Sequence, residues 1–326
     1  MKTLNLNNII LLTTLFLVVI MFSNSANALC VVDGNGAIVT VSGDSETPVK
    51  DDTGDDETAA NTATDQCTIT PDIYKLNIYK FGLCTADPDL NDLSSCQLFF
   101  DQTAGVEVDI QAGVSATLPI PEFYIEPGTY PYLYVLLSSK LGMKWSGTFS
   151  NAVDGSSGDG NGGTYCWTSN TGGRASSYPD GSEAAFTTAH GLSLAGGVKT
   201  MDCGTAEGTV VTTYELLTKF SEESCSALAA NGDKSTFAIE GTGSTRGIPT
   251  VSLLTTADAF ATTCSNAAKI AWTTALSTPY KVTENSTFDM SIKATAANSL
   301  EFSNDSDNDI LFIGSGAPRI YLTVTN

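Results

Sequence analysis

Imidazole is almost missing from this chain, with His190 the single histidine among 326 residues. A hydrolase that passes its proton through histidine would have to use that one ring, beside a nucleophile and an orienting acid. No Gly-x-Ser-x-Gly elbow occurs, and Gly155-Ser156-Ser157-Gly158 fails the spacing. His190, in Thr188-Ala189-His190-Gly191, reads as a loop residue. The pair Cys-x-x-Cys is also missing, which removes thiolate zinc sites. Gly241-Thr242-Gly243-Ser244-Thr245-Arg246-Gly247 lacks the Gly-Lys-Ser/Thr ending of a phosphate loop and reads as a turn between strands.

Cations are scarce: 15 Lys and Arg stand against 36 Asp and Glu, a formal charge of −21. Nucleic acid and anionic lipid would be repelled. The acidity suits either solubility or the binding of divalent cations. So many acids make some carboxylate pair unavoidable, so paired acids do not single out a glycosidase-like site, and the chain reads as a non-enzyme.

Long apolar runs are limited to one. Residues 9–22, from Ile9 to Phe22, are interrupted only by Thr13 and Thr14, follow Lys2, and lead to Ser23-Asn24-Ser25-Ala26-Asn27-Ala28. A basic start, an apolar core and a small-x-small exit predict a secretory signal cleaved after Ala28. The run is short of the ~20 residues of a membrane helix. Leu29 before Cys30 argues against lipidation, and the ending Thr325-Asn326 lacks the terminal aromatic expected of an outer-membrane barrel. Removing residues 1–28 takes away one cation and no acid. The mature chain is expected to be secreted, at the cell surface or periplasmic, with no transmembrane segment.

What is present in quantity is cysteine for a secreted chain: Cys30, Cys67, Cys84, Cys96, Cys166, Cys203, Cys225 and Cys264. An even set in an oxidising compartment predicts disulfides. Eight cysteines allow about 105 full pairings; pairing neighbours in sequence is favoured, first of all Cys84 with Cys96.

Strand patterning dominates. Two short β-prone runs from Leu29 to Val41 flank Asp33-Gly34-Asn35-Gly36, a hairpin turn because Asn and Gly tolerate positive φ. Residues 42–66 lose apolar side chains and read as an acidic linker. Tyr74, Leu76 and Ile78 alternate with Lys75, Asn77 and Tyr79, and Val106, Val108 and Ile110 with Glu107 and Asp109, as half-buried strands do. Leu118 to Ile125, broken by Pro119 and Pro121, reads as an edge or extended connection. Tyr132 to Leu137 is apolar throughout, a strand buried on both faces. Later strands are expected near 236–240, 251–254, 270–274, 288–292, 310–313 and 320–324. Short helices are expected at Glu222 to Ala230 and Ala257 to Ala268. The fold class is all-β, an elaborated antiparallel Greek-key sandwich with long Gly/Ser-rich insertions. One unit over 67–326 is favoured; the alternative is two sandwiches, 67–150 and 205–326, with 151–204 a glycine-rich excursion.

The turn Glu126-Pro127-Gly128-Thr129-Tyr130, preceded by Leu118-Pro119-Ile120-Pro121 and entering the apolar strand, resembles the strand entry of secreted transthyretin-like and carboxypeptidase-regulatory-like β-sandwich modules. The resemblance covers roughly residues 74–149. It implies a Greek-key sandwich used for display, spacing or binding, and carries no functional residue.

Three candidate sites follow. Asp305, Asp307 and Asp309 stand at alternate positions and read as a calcium site or a solvated turn; Ile310 occupies the place of the EF-hand glycine. Asp154, Asp159 and Asn161 offer a second such loop. Tyr165, Trp167 and Tyr178 offer rings for a glycan, although Trp167, next to Cys166, is expected to pack over a disulfide. The sequons at Asn285 and Asn304 matter only where a host glycosylates them. The expected role is a secreted or cell-surface structural or adhesive protein that self-associates in a surface assembly. The alternative is an extracellular carbohydrate- or ligand-binding module. No cofactor is expected beyond calcium.

Overall fold

The computed structural model describes residues 29–41, 44–48, 50–51, 66–89, 92–114, 116–117, 124–155, 162–169, 200–216, 235–236, 249–261, 266–293, 300–305, 310–315 and 319–325. They form a β-sandwich of several antiparallel sheets. The axis of the largest sheet is the long strand Ile73–Cys84. Along one side it pairs with Cys96–Gln111. Along the other it meets Gly128–Ser138 and then Lys140–Lys144. The sheet extends through Lys269–Val282 and Pro249–Leu254 in one direction and ends at Thr213–Leu216 in the other.

Facing it are smaller sheets. One contains Leu300–Asp305 between Ile310–Ser315 and Gln66–Ile69. A second is built from Ser146–Val153, Gly163–Thr168 and Met201–Gly204, and a third carries Arg319–Thr325 against Thr287–Lys293. Each of these sheets contributes buried side chains to one main cluster. Phe302 sits at its middle, with ring centroids 5.0 Å from Trp145 and 5.4 Å from Phe149.

Alternation along Ile73–Cys84 buries Tyr74, Leu76 and Ile78, as the pattern predicts, and then changes parity to bury Phe81 and Leu83. A register shift between Ile78 and Lys80 explains the change. One inserted residue moves every later side chain to the opposite face, so both groups reach the same core. The apolar strand ending at Leu137 is buried on both sides: Leu133, Val135 and Leu137 enter the main core, while Tyr134 and Leu136 join a second cluster with Cys84, Leu254 and Ala271.

The turn at Asp33 forms as expected. Its Oδ1 accepts from the N–H groups of Asn35 and Ala37 at 2.8 and 2.9 Å, and Gly36 has φ of 87°. These donors, first Ala37 and then Asn35, hold the Asp33 carboxyl below its ordinary pKa. At the resembling strand entry, the Tyr130 hydroxyl donates to the Glu126 carbonyl at 2.7 Å. This bond ties the corner before the strand to the strand's first residues.

Among the described residues there is no helix. The helix expected over Ala257 to Ala268 is instead, where described, a tight return: Asp258 N–H donates to Thr255 O, Ala261 N–H donates to Leu253 O, and Phe260 bridges Leu254. Asp258 has φ of 62°, which a right-handed helix does not admit, and its carboxylate is engaged by two lysines. These tertiary contacts override the alanine-rich propensity. The other expected helix, 222–230, lies outside the described residues. No described helix is long and apolar enough to cross a membrane.

Candidate functional site

The polar edge of Ile73–Cys84 that alternation turns away from the main core carries Lys75, Asn77 and Tyr79. With Ser138, Lys140 and Gly142 from the next strands, Glu107 from across the ladder and Tyr214 beyond, they line a cleft of about 190 Å³. Gly142 lies in the wall of the cleft. A Cβ there would stand 2.8 Å from Lys75 Cβ and 3.0 Å from Tyr214 Cε1, so the two side chains close over this glycine and only glycine lets them approach so near.

The two lysines of the cleft differ. Lys75 Nζ donates to Asp109 Oδ1 at 2.6 Å and to Glu107 Oε1 at 3.2 Å. Burial acts to lower its pKa, but these carboxylates outweigh burial and raise it. Lys140 Nζ instead lies 4.1 Å from the centre of the Tyr214 ring, a cation–π contact. Among the described residues it has no carboxylate bonded to it. Burial, opposed by the charge of Glu107, holds its pKa below the ordinary value.

Tyr79 divides the cleft from a second polar cluster. Lys269 Nζ sits 4.4 Å from the Tyr79 ring centre, donates to Asp258 Oδ1 at 2.6 Å and to Thr256 O at 3.0 Å. Lys80 Nζ donates to the other carboxylate oxygen at 2.9 Å. Burial would raise the Asp258 pKa, but the hydrogen bonds and charges of Lys269 and Lys80 prevail and lower it. Glu215, also buried, accepts from the Ser315 hydroxyl at 2.7 Å and from the Ser315 N–H, which pins the large sheet to the opposite one. Tyr74 lies beside this carboxylate, and its hydroxyl pKa is pushed up by burial and then by the Glu215 charge.

The residues singled out from sequence fall as follows. Disulfides join Cys30 to Cys67, Cys84 to Cys96 and Cys166 to Cys203. Cys225 and Cys264 lie outside the described residues. Tyr165 and Trp167 share the outward face of Gly163–Thr168, whereas Cys166 between them is buried on the other. The expected packing of Trp167 over that disulfide is therefore corrected: its ring lies over Gly204 and Gly208, and a Cβ on Gly208 would run into it. Tyr178 and His190 lie outside the described residues. Asp305 is the last residue of a strand and pairs with Ile310. Asp307 and Asp309, and likewise Asp159 and Asn161, lie outside the described residues. No group of acids, Cys or His suited to a metal occurs among those described.

Sequence reasoning treated Lys75, Asn77 and Tyr79 only as the polar half of an alternation. Lys140, Gly142 and Tyr214 carried no motif. The available signal was the concentration of lysines on strands in a chain poor in lysine.

Fold and site together define a disulfide-stapled, all-β protein with a small polar cleft on the face of its largest sheet. No protein-family description, curated protein or solved structure matches the chain.

Proposed function

We propose that this protein works outside the cytoplasm as a non-enzymatic structural or adhesive β-sandwich, a subunit of a surface assembly. The observation that carries the reading is where two disulfides lie. Cys30–Cys67 and Cys166–Cys203 each span a sequence separation of 37 and each join neighbouring strands. The first closes the base of the acidic stretch, the second the base of the Gly/Ser-rich stretch. A sandwich whose bridges tie together the ends of two long polar sequence stretches suits a structural subunit. The predicted signal segment and the resemblance of the Pro127–Tyr130 entry to secreted display modules agree with this role.

The test is cell fractionation combined with sizing of the purified mature chain. Surface association and concentration-dependent oligomers are expected. A monomer at high concentration with no surface fraction overturns the reading. A second reading, an extracellular glycan- or ligand-binding module, is favoured by Tyr165, 42 % exposed, standing beside Trp167 on one outward face. A glycan array without signal would remove it, and binding that survives Trp167→Ala would take this ring out of the site.

A further inference from the structure

We propose that the Lys140 cleft binds a small hydroxycarboxylate, a group with one carboxylate and neighbouring hydroxyls, of the size of one acidic sugar residue. This inference goes beyond the assembly reading and does not depend on it, since binding is measured on the isolated chain.

Three features of the cleft set the chemistry. Lys140 is a half-buried ammonium that lies over the Tyr214 ring and, among the described residues, has no carboxylate bonded to it, so a carboxylate entering the cleft meets a cation that has lost part of its water and can still form an ion pair. Asn77 Nδ2 reaches the Tyr79 hydroxyl only at 3.5 Å, which leaves amide N–H capacity for a ligand oxygen. Glu107 also lines the cleft, with its side chain 62 % exposed, and accepts from Lys75 through one oxygen. Its remaining acceptor capacity suits a hydroxyl donor and disfavours a ligand carrying two negative charges.

Size sets the upper limit. At about 190 Å³ the cleft is below the ~300–1,000 Å³ of pockets for drug-sized ligands. The rings of Tyr79 and Tyr214 are among its walls. One ring-sized group fits, and a chain of sugars would have to leave through the open side.

The test uses the mature oxidised chain titrated with D-glucuronate, D-glucose and lactate, followed by NMR shifts of the Lys140 and Asn77 side chains. Glucuronate is expected to bind, and glucose to bind at least tenfold more weakly. Lys140→Met is expected to weaken glucuronate roughly tenfold to a hundredfold, the range of a lost charge-assisted hydrogen bond. Lys140→Arg, which keeps the charge, retains binding and shows that the strand still folds. Gly142→Ala, whose methyl would push against Lys75 and the Tyr214 ring, is also expected to weaken binding. Lactate weaker than glucuronate assigns an acidic saccharide as the source, and lactate equal to glucuronate assigns a free hydroxy acid. Glucose as tight as glucuronate, no binding of either acid, or a Lys140→Met variant that binds unchanged overturns the proposal.

Discussion

Asp258 and Lys269 form a contact of 2.6 Å in which the carboxylate is carried by a residue with φ of 62°. A strained turn residue thus neutralises a lysine whose side chain is 9 % exposed, and Lys80 closes the triangle on the other oxygen. The carboxylate itself is 34 % exposed, so solvent reduces what the pair contributes.

Asp258→Asn is the informative substitution, because Asn tolerates the left-handed backbone and removes only the charge. A loss on the order of 2 kcal/mol near neutral pH is expected. The sign follows from the lowered pKa of Asp258 in the fold. Its contribution is fully present above the unfolded value of about 3.9 and disappears as pH falls through the lower folded value. Urea unfolding of both proteins should show a constant gap above about pH 5 that closes below about pH 4. A gap independent of pH would contradict the ion-pair account.

Tyr130→Phe deletes the hydroxyl that donates to Glu126 O and leaves the ring in the core. The expected cost is about 1 kcal/mol. Chemical denaturation measures it, and an unchanged midpoint would mean that the corner contributes nothing to stability.

Cys84 and Cys96 stand directly opposite each other on the ladder, with a sequence separation of 12. Replacing both by Ser should cost roughly 3 kcal/mol, the value for a loop of about 15 residues. Peptide mapping without reductant should recover this bridge, Cys30–Cys67 and Cys166–Cys203; any other partner for these six cysteines would contradict the structure.

Gly105 has φ of 72°, and a Cβ there would collide with the Asn77 side chain. Gly105→Ala is expected to cost about 1–2 kcal/mol for the backbone alone. It should also displace Asn77 from the cleft wall. Thermal melting reads the first effect, and the Asn77 amide signals read the second.

Much of the sandwich was legible because burial on one side imposes a period of two, as at Tyr74, Leu76 and Ile78. The later strands around 270–274, 310–313 and 320–324 formed where expected. The continuous apolar stretch at Tyr132 to Leu137 correctly marked a strand with cores on both faces. Illegible were features set by distant contacts. The strand Leu300–Asp305 alternates only over the four residues Leu300-Glu301-Phe302-Ser303, too short a run to stand out, yet it is held between two partners. The return at Asp258 looked helical from its alanines until two lysines from other strands claimed the carboxylate. The cleft depends on four strands brought together from 75, 107, 140 and 214.

The bridges Cys30–Cys67 and Cys166–Cys203 also alter how the chain withstands damage. A single protease cut between residues 31 and 66, or between 167 and 202, separates the polypeptide but not the molecule, because sulfur still joins the two fragments. Tension applied to the ends likewise crosses each stretch through one covalent shortcut. A nick in either stretch therefore leaves the molecule covalently whole while those bridges stay oxidised.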